Sequence, residues 1–245
     1  PDVKESSSIF RYTNINGILK KNIPISGVMG DSQASIFANQ CFNTGNTKIT
    51  LGTGASILTN IGKSFKYQKN ILTTLSYVYK HKPSYSYECL INYAGATISW
   101  LKDNLKILQT ARETNEILKK TKNSEKVVFI PAFVGLSSPH WIPDSKAMIY
   151  GLTPSINKNH IIRAALESIA FQIKDYLDDL EKNNKIKYND IYIDGGIVSN
   201  KSFMKLLCDS LQKKIHVTNY QDMSSYGALM MGLLGMNIIS NFKEM

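Results

Sequence analysis

At 245 residues, 43% of them hydrophobic and 20% charged, the chain is long enough to bury a core as one large domain or two small ones, which excludes the disordered and fibrous classes. The net charge of +10 would fit a nucleic-acid partner only if the lysines clustered; Lys20-Lys21, Lys119-Lys120 and Lys213-Lys214 are scattered pairs, so a solvated lysine-rich surface is expected and no nucleic acid. Cys41, Cys89 and Cys208 are odd in number and far apart, no CxxC occurs, and the histidines lack zinc-ligand spacing, which argues against a disulfide framework or a structural metal and for a reduced, cytoplasmic setting.

The chain opens on Pro1 rather than Met and shows no signal peptide, which reads as a fragment or processed chain. Residues 1–22 are polar, Ser/Asn-rich and turn-like. A short apolar stretch, Ile23 to Met29, runs into Gly30-Asp31, after which Ala34, Ile36, Phe37 and Gln40-Cys41 fit a short helix. "NTKITLGTGASILTNIG" predicts strand, tight turn, strand around Gly52-Thr53-Gly54. "TTLSYVYK" and "YSYECLINY" predict a second hairpin, with Pro83-Ser84 near its turn.

A helix is predicted from about Ala94, with Ile98, Leu101 and Leu105 at helical spacing and Trp100 expected in the core. "EILKK" is a second helical piece and "KVVFIPAF" a buried strand stopped by Pro131. A Pro/Gly-punctuated loop, anchored by Trp141, leads to a strand in "AMIYGL". His160 then reads as a first-turn surface residue of a long helix whose stripe is Ile161, Ala165, Ile169, Ile173 and Leu177. "DIYIDGG" predicts a strand, followed by a helix from about Asn200 to Leu211, a short strand "IHV", and a last apolar helix from Tyr226 to Met236 with Met230, Met231 and Met236 as core filler. The longest apolar stretch, "GALMMGLLGMNIIS", is short and broken by glycines, so no membrane span is expected. Hairpins first and βα units last predict an α/β fold with a mixed sheet flanked by helices.

Three places in this pattern could carry chemistry. "LGTGASI" sets two glycines around Thr53, where backbone can approach a ligand closely; its plain alternative is a hairpin turn. "YIDGGIVSN" puts a helix start at the carboxyl edge of a sheet, a usual ligand site, or else a βα turn with Asn200 as N-cap. Asp31 is either the cap of its helix or a general base, since a hydroxyl attacking a phosphoryl group needs a proton acceptor. Together the three make a coherent set of nucleotide site and base.

Taken in order, the segments resemble one family. "PDVKESSSIFRYTN" with "IPISGVMGDSQASIF", then "KITLGTGASILTNIG", "NYAGATISWLKDNLKIL", "VVFIPAFVGLSSPHWIPDSKAMIYGLT", "NKNHIIRAALESIAFQ" and "YIDGGIVSNKSFM" are similar to successive stretches of the FGGY carbohydrate kinases, and within them of the glycerol kinases. One family signature reads here as Ala147, Ile149, Gly151-Leu152, a seven-residue gap, His160-Ile161, Ala164 and Glu167. The likeness covers nearly the whole chain.

The resemblance implies a ribonuclease H-like, actin-type ATPase fold, with substrates in a cleft between two such domains. Residues 1–39 would be the end of the N-terminal domain and the cleft segment, and residues 40–245 the C-terminal nucleotide-binding domain. It further implies ATP-dependent phosphorylation of glycerol to glycerol 3-phosphate, with Mg2+ and a homo-oligomeric state. Asp31 would be the base, Asp31 and Ser32 would face the polyol, and Thr53, Gly95, Ser99, Gly196 and Asn200 the ATP or ADP. Without the N-terminal domain the chain is expected to turn over little or not at all.

Departures from the family pattern open other readings. Ser32 stands where the glycerol kinases usually have Gln, Ser56 where a Phe lines the glycerol site, Ser99 where a Gln lies near the nucleotide, and Trp141-Ile142-Pro143 where "WDP" is usual. Small hydroxyls at Ser32 and Ser56 would leave a roomier, wetter pocket. The alternatives are therefore an FGGY kinase for another polyol or a pentulose, and a nucleotide-binding relative without chemistry.

Overall fold

The computed structural model describes residues 2–218 and 222–242. Ahead of the α/β body it places a ribbon that the sequence conceals. β1 (Ile9–Thr13) pairs antiparallel with β2 (Ile23–Ser26), Arg11 facing Ile25 and Thr13 facing Ile23, so residues 1–22 are not simply turn-like. No apolar alternation marks β1 because both of its faces stay partly exposed; pairing, rather than burial, makes it a strand. α1 (Asp31–Ala38) follows and ends before the apolar spacing does, since Gln40 takes a left-handed φ of 54° and Cys41 is buried beyond the helix.

β3 (Thr47–Leu51) with β4 (Ala55–Gly62), and β5 (Leu72–Tyr79) with β6 (Lys82–Ile91), form the two expected hairpins. The second turns at Lys80-His81, just before Pro83. Then come α2 (Gly95–Asp103), α3 (Glu113–Lys120), β7 (Val128–Ile130), β8 (Met148–Tyr150), α4 (Lys158–Asn184), β9 (Ile191–Asp194), a 3-10 turn at Gly196–Ser199, α5 (Lys201–Leu211), β10 (Ile215–Val217) and α6 (Met223–Gly235). The main sheet has the order β10-β9-β3-β4-β6-β5, with β10, β9 and β3 parallel and the remaining pairs antiparallel. This is the mixed sheet expected. β7 pairs with β8 apart from it.

Period-two alternation along β3 sends Ile49 and Leu51 to one face and Lys48 and Thr50 to the other. On the first face lies the main core, where Ile49, Ile57, Cys89 and Ile193 meet α4 through Leu166, Ile169, Ile173 and Leu177. The stripe on α4 begins at Ile162 rather than Ile161, which is only partly buried. Trp100 packs half-buried against Phe133 at 4.8 Å, and Trp141 anchors its loop by donating from Nε1 to the carbonyl of Asn70 at 2.6 Å.

α1 and α6 cover part of the second face, Phe37, Met230, Met231 and Leu234 clustering with Tyr77 of β5. α6 starts earlier than predicted, because the Asp222 carboxylate accepts from the Ser225 amide and caps it; Met236 lies past its end and is partly exposed. No helix among the described residues is long and apolar enough to cross a membrane.

α4 starts with a reciprocal cap. Asn157 Oδ1 accepts from the Asn159 amide at 2.9 Å, and His160 Nδ1 accepts from the Asn157 amide at 3.2 Å. His160 is thus a capping partner as well as a first-turn residue. Asn157→Ala is expected to lower stability by about 1 kcal/mol, read as an earlier midpoint in urea. An unchanged midpoint would mean that core packing alone fixes the start of the helix.

Candidate active site

β3 leads into the site. From Leu51 the chain enters Gly52-Thr53-Gly54, a hairpin turn closed by the Gly52 amide donating to the Gly54 carbonyl at 2.9 Å. α2 docks onto this turn: the Ala94 and Ala96 amides donate to the Thr53 carbonyl, and the Gly95 amide to the Gly52 carbonyl at 3.0 Å. A Cβ on Gly95 would lie 2.5 Å from the Gly52 carbonyl oxygen, so the approach requires glycine. The close approach at Gly95 is therefore chain on chain. At Gly196, by contrast, a Cβ would meet nothing within 4 Å.

Gly52 lines two adjoining cavities. The smaller, about 380 Å³, holds Asp31, Ser32, Thr53 and Ser56 of the residues singled out in the sequence. Asp31 is the first residue of α1 and not its cap. Gly30 takes that place, its carbonyl accepting from the Ala34 amide at 2.8 Å. Among the described residues the Asp31 carboxylate accepts from the amide next to it, Ser32, at 2.6 Å and is otherwise exposed to the cavity. Ser224, at the start of α6, donates to the Asp31 carbonyl at 3.0 Å and fixes the backbone that carries it. Ser32 Oγ and Ser56 Oγ stand 3.2 Å apart. An exposed carboxylate beside two small hydroxyls can accept a proton from a bound alcohol.

The larger cavity, about 620 Å³, brings together Gly95, Ser99, Gly196 and Asn200. Asn200 caps α5, its Oδ1 accepting from the Phe203 amide at 3.0 Å, while its Nδ2 donates to Thr114 Oγ1 at 2.8 Å. Cap and cavity wall are the same residue. Apolar walls from Leu51, Ile98 and Ile197, with Lys102 and Arg112 also on the lining, suit a flat, mostly apolar group bearing an anion. α3, which lines this cavity, is tied to α4 by Arg163, whose Nη1 donates to the Thr121 and Leu118 carbonyls while its Nε donates within α4 to Glu167 at 2.7 Å.

Sequence reading missed the α3 contributions, Arg112, Thr114 and Asn115, because nothing in a short polar helix signals which side faces a cavity. It also missed Lys48, whose residue surface is 1% exposed in the wall of the smaller cavity. Burial lowers the pKa of Lys48 below its ordinary value, opposed by the charges of Asp194 and Asp31. Asp194, at the end of β9, is buried and accepts from Ser35 Oγ at 2.9 Å and Asn39 Nδ2 at 3.4 Å. The signal available was a lysine in a strand whose apolar residues, Ile49 and Leu51, fall at alternate positions; that alternation reads equally as a solvent face until α1 is placed near it. Among the described residues, no group of three or more His, Cys, Asp or Glu is placed to hold a metal.

Comparison with known proteins matches residues 47–236 to the C-terminal domain of the FGGY family of carbohydrate kinases. A glycerol kinase of Fusobacterium nucleatum is 38% identical over 245 residues, and glycerol kinase 1 of Thermotoga maritima 39%; each match takes in 100% of this chain. The chain spans 49% and 50% of their lengths, about half of each relative. Among solved structures, Plasmodium falciparum glycerol kinase with ADP superposes with a TM-score of 0.91 at 35% identity, over 100% of this chain and 49% of that one. A ligand-bound xylulose kinase of Lactobacillus acidophilus shares the fold at 18% identity and a TM-score of 0.85, over 100% of this chain and 50% of its own.

Proposed function

The chain belongs to the FGGY family of carbohydrate kinases, with its actin-like ATPase fold, and from that membership we propose that it is the nucleotide-binding part of an ATP-dependent polyol kinase acting on glycerol. The observation that carries the proposal is the meeting of the two cavities at Gly52, with Asp31 in one and Gly95, Ser99, Gly196 and Asn200 in the other. ATP would lie in the larger cavity with its phosphates crossing the glycine turn past Thr53. Glycerol would lie by Asp31 and Ser32.

In this reading Asp31 accepts the proton of the attacking hydroxyl as that oxygen bonds the γ-phosphorus, and the bond from phosphorus to the β,γ-bridging oxygen breaks to release ADP. Mg2+ would neutralise phosphate charge. Such an ion is usually held by one or two carboxylates and the nucleotide itself, which suits a cavity lined by the single carboxylate of Asp31. Residues 1–39 would end an N-terminal domain that completes the cleft, and residues 40–245 form the nucleotide domain, in a homo-oligomeric cytoplasmic enzyme. The chain by itself is expected to give no turnover at normal kinase rates, because catalysis here is positioning between two lobes. Glycerol phosphorylation at such rates by residues 1–245 alone would contradict that.

Ser32 and Ser56 favour a second substrate reading. Their hydroxyls, 3.2 Å apart, line the cavity beside Asp31 and leave room for a longer polyol or a pentulose. The test is coupled ADP release by the two-domain protein with glycerol, erythritol and a pentulose. The highest kcat/KM with glycerol supports the first reading; the highest with a larger substrate replaces it by the second. Asn200→Ala should cost about 1 kcal/mol of stability through the lost cap and also weaken ADP binding. A calorimetric titration with unchanged ADP affinity would leave Asn200 as a cap only.

A further inference from the structure

The smaller cavity has a floor that neither the proton acceptor nor the serines explain. Lys48 and Thr50 stand two residues apart on β3 and share one face of the strand. Lys48 is 1% exposed, and among the described residues its ammonium makes no hydrogen bond and no salt bridge. Thr50 Oγ1 is the one buried side-chain polar atom without a hydrogen-bond partner among the described residues. Both residues line the cavity that contains Asp31 and the glycine turn, and among the described residues Lys48 is the one cation in its lining.

The acids around Lys48 leave its donors open. Asp194, on β9, is already held by Ser35 and Asn39; Asp31, on α1, is held by its neighbouring amide; Glu88, on β6, is partly buried; Cys41 carries a thiol that burial pushes up. These charges oppose the loss of the proton that burial favours, yet none meets the ammonium at bonding distance. A nearly buried lysine whose ammonium keeps open donors at the cavity surface, next to a buried hydroxyl with an open valence, is costly in the free protein, and an anionic ligand would complete both. The acidic group bound in this cavity under the proposed function is a phosphoryl group, and lysine meets such a group as a point charge.

We propose that Lys48 and Thr50 form an oxyanion subsite beneath Asp31 that receives the terminal phosphoryl group of the nucleoside triphosphate. The proposal rests on the kinase reading for its ligand. It differs from a purely structural lysine in one respect: the ammonium should discriminate a triphosphate from a diphosphate. A neutral polyol gains little from it and is served by Ser32 and Ser56.

The test is titration of the two-domain protein with ADP and with a non-hydrolysable ATP analogue, for wild type, Lys48→Met, Lys48→Arg and Thr50→Val. Methionine keeps most of the volume without the charge, and valine keeps the shape of threonine without the hydroxyl. Lys48→Met is expected to weaken the analogue by about tenfold or more relative to ADP, Thr50→Val by a smaller factor in the same direction, and Lys48→Arg to recover part of the loss. Equal weakening of ADP and analogue, or no weakening of either, would overturn the subsite. Should Lys48→Met fail to fold, Thr50→Val decides by the same comparison. Because binding is read without turnover, a protein that phosphorylates no polyol still answers: absent product counts against the kinase reading, unselective binding against the subsite.

Discussion

Asp31→Asn in the two-domain protein is expected to lower kcat for polyol phosphorylation by about 10²–10⁴-fold, the usual contribution of a positioned general base. Asparagine keeps the shape of the side chain and can still accept the 2.6 Å hydrogen bond from the Ser32 amide, so α1 should start where it does now. What it removes is the ability to take a proton. The nucleotide residues Gly95, Ser99, Gly196 and Asn200 lie in the other cavity, so the affinity for ADP should stay within about twofold of wild type, well under 1.4 kcal/mol. A large fall in kcat with ADP binding intact separates lost chemistry from lost folding. A fall of less than about threefold would remove Asp31 from the role of base, a loss too small for general-base catalysis.

Gly227→Ala should damage the protein at the contact between α1 and α6. On α6 a Cβ at this position would lie 1.9 Å from the Ala34 carbonyl oxygen and 2.5 Å from its carbon, inside the backbone of α1. Helix propensity favours alanine over glycine by about 1 kcal/mol, so an isolated α6 would gain. The clash wins, because it is with backbone that has no rotamer to change; overpacking of this kind usually costs about 1–3 kcal/mol, and here the net loss should reach at least about 2 kcal/mol. α1 carries Asp31 at its first residue, so parting the two helices should also lower kcat more than ADP affinity. Urea unfolding monitored by circular dichroism reads the first effect and steady-state kinetics the second. A variant as stable as wild type would show that the α1–α6 contact yields without cost.

How legible the molecule is from sequence depends on whether a signal is local. The hairpins around Gly52-Thr53-Gly54, the long α4 and the strand into Asp194-Gly195-Gly196 were readable, because strand alternation, helical spacing and glycine punctuation are written in neighbouring residues. Asn200 was readable as a cap for the same reason. β1 was not, since Ile9–Thr13 becomes a strand only by pairing with Ile23–Ser26. Asp31 could be singled out, yet its sequence suggested a cap, and only the placement of Gly30 at that position frees the carboxylate for the cavity.

Lys48 was the largest omission. A lysine in a strand is ordinarily on a solvent face; here it is nearly buried in a cavity wall close to α1, a fact of tertiary packing that no window of residues contains. The same holds for Arg112 and Asn115, which line the larger cavity once α3 is packed on α4 and α5.

The most direct measurement is to incubate the two-domain protein with ATP, Mg2+ and glycerol and follow both products by phosphorus NMR. Glycerol 3-phosphate appearing in step with ADP, and absent with Asp31→Asn, is the predicted result. ADP release without a phosphorylated polyol, or no reaction by a protein that still binds ADP, would contradict glycerol phosphorylation; the same silence with erythritol and a pentulose would leave a nucleotide-binding fold without kinase chemistry.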